Sequence, residues 1–350
     1  MARKAGRRLG LLLALLLVAA AGGFLWLRRE LFRPYQGWPG PSVLVTVEPG
    51  TSSKAVFEEL ERAGVLRDRR LGEAALRLLH RGRGLRAGEY RFDGPRSPAA
   101  VVRAIVDGDV VVHRVTFPEG STAEETFSLL ASRGLGEEAA YHALFERPDA
   151  LPGVPAGAPT LEGFLFPSTY DFTRPLAERD VAARLVREFR RRLPPGYEEA
   201  ARRRGLSLLE AVTLASIVEK ETALAEERTL VSAVYLNRLG RGMLLQADPT
   251  TIYALKRRGL WDGRLTRAGL GFADPYNTYA SPGLPPGPIC NPGEAALGAA
   301  VAPAAVDYLY FVAAGDGSHR FAEDGEAHLR NVALWRKAQR AARPEERSGR

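Results

Sequence analysis

Among its 350 residues the chain has one cysteine, Cys290, two methionines and five histidines. A single thiol excludes an intrachain disulfide framework and any Cys-rich zinc ribbon. The histidines are scattered, His319 and His328 lie nine apart, and no HExxH or similar spacing occurs, so no metal is expected. There is no GxSxG elbow and no Gly-rich phosphate loop, and Cys290 sits in a Pro-rich stretch without an evident base, which leaves Ser or Cys nucleophilic catalysis unsupported. Between the basic ends lysine is reduced to Lys54, Lys220 and Lys256, a thin supply for Schiff-base chemistry with pyridoxal phosphate, and no cofactor is expected.

What is present is an ordinary globular composition, with 45% hydrophobic and 26% charged residues, 36 Gly and 24 Pro. This excludes collagen, a disordered polyelectrolyte and a multispanning membrane protein. The length suggests roughly two domains at about 150 residues each. The net charge of +8 is concentrated at the ends. Seven basic residues against Glu30 give +6 over residues 1–33, and six against Glu345 and Glu346 give +4 over 336–350, which leaves −2 for the body. A slightly acidic body offers no phosphate-neutralising surface, so nucleic acid is not an expected partner.

Leu9 to Leu27 reads LGLLLALLLVAAAGGFLWL, 19 uncharged residues, close to the roughly 20 that cross a bilayer as a helix. Arg3, Lys4, Arg7 and Arg8 precede it and predict a cytoplasmic amino terminus with the body outside the cell (inner) membrane. A cleaved signal peptide, cut near Ala19 to Ala21, is the competing reading. The apolar run continues past that point to Trp26 beside Arg28, which favours an uncleaved, single-pass anchor.

After a Pro/Gly-rich linker at 34–41, Val43 to Val47 reads as a strand, Pro49-Gly50 as a turn, and the following segment as a helix capped by Thr51 and stopped by Gly64. The plan returns 70 residues later without a gap. VTVEPGTSSKAVFEELERAGV from Val45 aligns with VTFPEGSTAEETFSLLASRGL from Val115, with identities at 45/115, 46/116, 50/120, 57/127, 60/130 and 64/134. Further strands are expected at 88–92 and 110–115, with a helix over 98–105. The second region begins near Thr160. It holds a helix over Ser207 to Thr222, another over Ala225 to Leu239, a Pro/Gly-rich stretch from Ala273 to Gly293, a strand over 308–313 and a final helix near 328–338.

On the helix from Leu208, spacing at 100° per residue places Leu208, Ala211, Val212, Leu214, Ala215 and Val218 in one apolar arc. Glu219 falls inside that arc, whereas Glu210 and Glu221 point to the opposite face, expected to be solvated. A carboxylate facing an apolar interior is protonated, salt-bridged or functional. Glu219 is therefore either a functional group or half of an ion pair with an arginine such as Arg228 or Arg238. Tyr253, Trp261, Tyr276 and Tyr279 could line a sugar groove or simply pack.

The run LASIVEKETALAEERTLVSAVYLNRL from Leu214, with MLLQADPTTIYAL from Met243, YNTYASPGLPPGPICNPG from Tyr276, YLYFVAAGDGSHRF from Tyr308 and the upstream LEGFLFPSTYDF from Leu161, closely resembles the endolytic murein transglycosylases of the YceG-like family. With the anchor, the resemblance covers nearly the whole chain. It implies an α+β fold: an N-terminal transmembrane helix over 1–33, a LysM-like subdomain over 34–115, a second strand-turn-helix unit and connector over 116–159, a mixed catalytic domain over 160–340 and a basic tail over 341–350. A chain starting near residue 160 is then expected to retain cleavage.

The resemblance carries the family's catalytic glutamate onto Glu219. It implies cleavage of peptidoglycan glycan strands between N-acetylmuramic acid and N-acetylglucosamine, outside the cytoplasm and in company with cell-wall synthases. Hydrolytic glycosidases generally use two carboxylates, whereas one suffices when the muramic 6-hydroxyl attacks its own C1 and closes a 1,6-anhydro ring. Gln246, Asp248, Asn277 and Tyr279 are candidates to position sugar or merely to fix loops, and Glu162 is a groove-lining or structural candidate. The alternatives are a non-catalytic peptidoglycan-binding scaffold and a pyridoxal-phosphate lyase.

Overall fold

The computed structural model describes residues 2–342; residues 343–350 of the expected basic tail lie outside them. The contacts gather the chain into two units, Met1–Arg114 with Asp171–Leu176, and Val115–Tyr170 with Ala177–Arg350. The second strand-turn-helix unit thus falls in the same compact unit as the helix bearing Glu219, where the sequence reading set 116–159 apart.

The first unit opens with α1 (Ala2–Phe32), whose apolar stretch Gly10–Phe32 has a mean hydropathy of 2.4 over an 18-residue window in which no residue is buried. The helix outruns the expected end at Leu27 because its last turns have a packing partner: Leu31 is buried and Leu27 packs on the same core. Then follow β1 (Val43–Val47), α2 (Ser53–Arg62), α3 (Arg69–Leu79), β2 (Gly88–Phe92) and α4 (Pro98–Asp107). β1 and β2 pair antiparallel from Val43 opposite Phe92 to Val47 opposite Gly88. Val45, Val47, Phe57, Leu60, Tyr90, Val102 and Ile105 fill the space between this ribbon and the helices.

β3 (His113–Thr116) is shorter than the expected 110–115 and pairs with β4 (Thr169–Phe172). Between them lie α5 (Ala123–Ser132) and α6 (Glu138–Phe145). The 70-residue repeat extends to backbone detail. Ser52 and Thr122 both cap their helices through a side-chain oxygen that accepts an N–H three residues on, Gly64 and Gly134 both follow the helix with positive φ, and Phe57/Phe127 and Leu60/Leu130 are fully buried. The first cap is Ser52, not Thr51, because the helix begins one residue later than expected.

The second unit continues with α7 (Glu178–Arg192), α8 (Tyr197–Arg203), α9 (Leu208–Glu221), α10 (Arg228–Gly240), α11 (Asp248–Arg257), α12 (Arg267–Leu270), α13 (Glu294–Val301), the hairpin β5 (Tyr310–Ala313) and β6 (His319–Ala322), and α14 (Gly325–Ala342). α9 is its axis. Ser207 and Glu210 form a capping box at its start, and all eight residues from Ala211 to Val218 are buried. α8, α10, α11 and α13 all pack against it. The middle of the helix is therefore covered all round, while its two ends, with Glu210 and Lys220, reach the surface.

Candidate active site

The two glutamates at the carboxyl end of α9 occupy different surroundings. Glu219 is part of a closed ion pair: Oε1 lies 3.3 Å from Arg228 Nη2, the two side chains being 7% and 12% exposed, and Oε2 accepts the backbone N–H of Gly293 at 3.0 Å. Both oxygens are committed. The unpaired carboxylate on which the helical wheel rests a catalytic role is therefore absent at Glu219, and the other reading, a pair with Arg228, is what the structure contains. Glu119 crowds the same spot, and burial together with the Glu219 charge pushes its carboxyl upward.

Glu221 is not fully solvated. Its Oε1 accepts the Tyr235 hydroxyl of α10 at 2.6 Å, Oε2 makes no hydrogen bond among the described residues, and the residue keeps partial exposure. Burial, abetted by the Asp248 charge and opposed by Tyr235 and Arg238, pushes this carboxyl up to about 7. The wheel misplaces Glu221 because it knows only one helix: Tyr235, 14 residues on, reaches across from α10. Arg238 gives its Nε–H to Leu309 O at 2.6 Å and Nη1 to Leu245 O at 2.7 Å, so its charge is spent on carbonyls and it forms no ion pair with Glu221.

Two loops bring the other candidates to this end of α9. Gln246 has φ +52°, in the left-handed region that costs a non-glycine residue about 1 kcal/mol or more. It is held there by its N–H to Thr278 O and by Ala247 N–H to Thr278 Oγ1. Its side chain is exposed and makes no hydrogen bond among the described residues. Asp248, also exposed, opens α11 and accepts the Tyr279 hydroxyl at 2.5 Å. Burial and this bond to Asp248, with the Glu221 charge behind it, push the Tyr279 phenol up. Asp248 and Tyr279 thus lie within electrostatic reach of Glu221.

Asn277 does not join them. It is fully buried, its Oδ1 accepts from Thr251 and from Tyr279 N, and its Nδ2 donates to Leu270 O and Phe272 O. It fixes the loop, and the sugar-contact candidacy fails because no polar atom is left free. Asn277→Ala would orphan several buried groups at about 1–3 kcal/mol each. It is expected to lower the thermal unfolding temperature sharply, as calorimetry would register.

Glu162 is 2% exposed. It accepts Ala123 N–H at 2.8 Å and the Tyr253 hydroxyl at 3.1 Å, and burial pushes it up to about 8 against those two bonds. It lines a separate cavity of about 580 Å³ with Phe127, Phe145 and Lys256, so it ties the repeat helix α5 to α11 and is not gathered with the other candidates. Cys290 is buried, with its thiol on Ser216 O at 3.3 Å; burial raises it and leaves it inert.

Sequence reading also missed a clamp behind Glu221. Glu227 Oε2 lies 2.6 Å from His319 Nδ1 and accepts Thr222 Oγ1–H at 3.1 Å, while Oε1 accepts His319 N–H at 2.7 Å. The hairpin β5–β6 thereby fixes the residue next to Glu221. No spacing signal links residues 92 apart in sequence, so only the fold reveals it.

Comparison with known proteins identifies the family. The YceG-like family profile matches residues 45–334. A Bacillus subtilis (strain 168) protein named endolytic murein transglycosylase is 27% identical over 324 residues, 88% of this chain and 88% of its own length. A Streptococcus pneumoniae (strain D39) protein of the same name is 27% identical over 92% of this chain and 64% of its own. The crystal structure of a YceG-like protein from Listeria monocytogenes superposes with a TM-score of 0.56 at 27% identity, covering 83% of this chain and 98% of that one.

Proposed function

The chain belongs to the YceG-like family, and from that premise we propose that it is a membrane-anchored endolytic lytic transglycosylase in which Glu221, not Glu219, is the catalytic acid. The observation that carries the assignment is the pairing: Glu219 has both oxygens engaged by Arg228 and Gly293, whereas Glu221 has one oxygen free and a proton affinity near neutrality. A general acid works best with a pKa near the working pH.

In the proposed reaction the protonated Glu221 donates to the glycosidic oxygen between N-acetylmuramic acid and N-acetylglucosamine. Cleavage leaves oxocarbenium-like charge at C1, which the Asp248 carboxylate, aimed by Tyr279, offsets. The Glu221 carboxylate, held by the Tyr235 hydroxyl, then takes the proton of the muramic 6-hydroxyl as that oxygen bonds to C1. The product is a 1,6-anhydro end, and no water is consumed. An attacking group already on the sugar has the large proximity advantage of an intramolecular nucleophile. A hydrolytic reading, with Asp248 as base for a water, is favoured only by the reach of the Asp248 charge to Glu221. The first unit, with two helices between antiparallel strands, is assigned to guiding glycan as a LysM-like module, and α1 to holding the protein in the membrane with its amino terminus inside.

The pH dependence tests the acid. Because the acid must start protonated, the rate on soluble glycan strands should fall as pH rises through about 7, approaching tenfold per unit beyond it. The same sign holds for stability. A carboxyl raised from 4.5 to about 7 by burial contributes fully below the unfolded value, and that contribution is lost as pH rises through the folded one. A rate that climbs through this range would remove Glu221 as the acid.

A further inference from the structure

The end of α3 carries an apolar pair that the fold leaves bare. Leu78 is 51% and Leu79 45% exposed, although Gly72 and Ala75, two turns and one turn earlier on the helix, are buried. Together with Phe24, Leu27, Arg28 and Leu31 of α1, they line a crevice of about 360 Å³. Phe24 and Phe32 are themselves 66% and 56% exposed, so the bare surface of α3 runs without a break into that of the apolar helix.

Depth gives this surface its meaning. On the reading of α1 as a membrane span, Trp26 and Arg28 mark the outer interface. Phe24 lies four residues, about 6 Å, deeper along the helix than Arg28. Leu78 and Leu79 share one crevice with Phe24 and Leu27, and this sets them level with the last turns of the span, not above the headgroups. Nor can they drift away, because Leu31 is 4% exposed within the core of the first unit. The α3 segment itself is basic, with Glu30 and Asp107 as the acidic neighbours, paired with Arg33 and with Arg83. Between Glu73 and Glu89 there is no acidic residue, while Arg77, His80 and Arg81 flank the leucines and Arg28 lines the crevice.

We propose that the end of α3 is a second membrane contact: Leu78 and Leu79 enter the outer leaflet at the boundary of acyl chains and headgroups, the crevice takes an acyl chain, and Arg28, Arg77 and Arg81 meet the headgroup of an acidic phospholipid. A span alone leaves the attached unit free to tilt. An apolar anchor combined with basic residues adds a second point of attachment and fixes the height and tilt of the first unit on the bilayer. The proposal rests on the membrane reading of α1, and its test separates the two.

The full chain, reconstituted into phosphatidylglycerol/phosphatidylethanolamine vesicles, carries a nitroxide at Leu15→Cys or at Leu79→Cys; Cys290, being fully buried, stays unlabelled. Collision with oxygen against collision with a water-soluble nickel chelate reports depth. The expected result is a deep label at position 15 and a label at position 79 just below the headgroups, shifting toward water when phosphatidylcholine replaces phosphatidylglycerol. A deep label at 15 with an aqueous label at 79 overturns the proposal and leaves the anchor standing. An aqueous label at 15 overturns both. Spin–spin broadening at 79, with neither oxygen nor nickel reaching it, would mean that a second copy of the chain fills the crevice, which also overturns the lipid assignment. Depth at 79 that ignores headgroup charge overturns the role of the arginines.

Discussion

Glu221→Gln is expected to leave a folded protein whose cleavage of peptidoglycan has fallen by at least the roughly 10² to 10⁴ that general acid–base catalysis supplies, and by more because one group serves both half-steps. Gln preserves the shape and can still accept the Tyr235 hydroxyl through its carbonyl oxygen, so the thermal unfolding temperature should hold or rise as the buried titratable group is lost. Glu219→Gln should behave oppositely. It leaves Arg228, 12% exposed, without its counter-charge, and Arg228 Nε already lacks a partner. Breaking a buried pair costs about 3 kcal/mol or more, while the turnover of the folded fraction should fall less than tenfold, about 1.4 kcal/mol. Unfolding curves and rates measured on both variants separate the two. A stable but inert Glu219→Gln beside an active Glu221→Gln would restore the assignment that the helical wheel makes.

A chain beginning at residue 160 is expected to be insoluble and inactive, while one beginning at Val115 retains cleavage of short soluble strands. The earlier segment is not a connector. It contributes Phe127, Leu130, Leu135 and Tyr141, all fully buried, and each such side chain stabilises by about 1.5–3 kcal/mol. Their loss consumes most of a typical stability of about 5–15 kcal/mol. It also supplies polar partners near the glutamates. Gly120 N–H and Asn291 N–H exchange bonds with Asn291 O and Ser121 O, and Asn291 Nδ2 adds another to Ser121 O. Without them the loop that presents Gly293 to Glu219 loses its support, and the Glu162 carboxyl loses the Ala123 N–H. Cleavage by the shorter chain would show that residues 115–159 are dispensable.

Elements governed by local chemistry were legible in the sequence. The apolar run of α1, the helix over 207–222, the strands β1 and β2 and the repeat at 45 and 115 all depend on residues near one another in the chain. What escaped depends on partners from afar. The division at residue 160 followed a change in sequence texture, whereas the contacts that join Ser121 to Asn291 span 170 residues. The choice between Glu219 and Glu221 turned on which faces of α9 are covered, and periodicity describes a helix with one buried side. α9 is covered on more than one side along its middle, and α10 brings Tyr235 to Glu221 at its end. Asn277 and Tyr279 stand two residues apart in one motif, yet one fastens the loop and the other faces Asp248; the motif fixes neither direction.

The central claim, that the muramic 6-hydroxyl and not water resolves the cleaved bond, is tested most directly by digesting purified peptidoglycan with the full chain in ¹⁸O-enriched water and weighing the new termini. Anhydro ends without ¹⁸O are predicted, present with the wild type and lost with Glu221→Gln. Reducing ends carrying ¹⁸O at C1 would contradict it and make the enzyme a hydrolase, with Asp248 as the base.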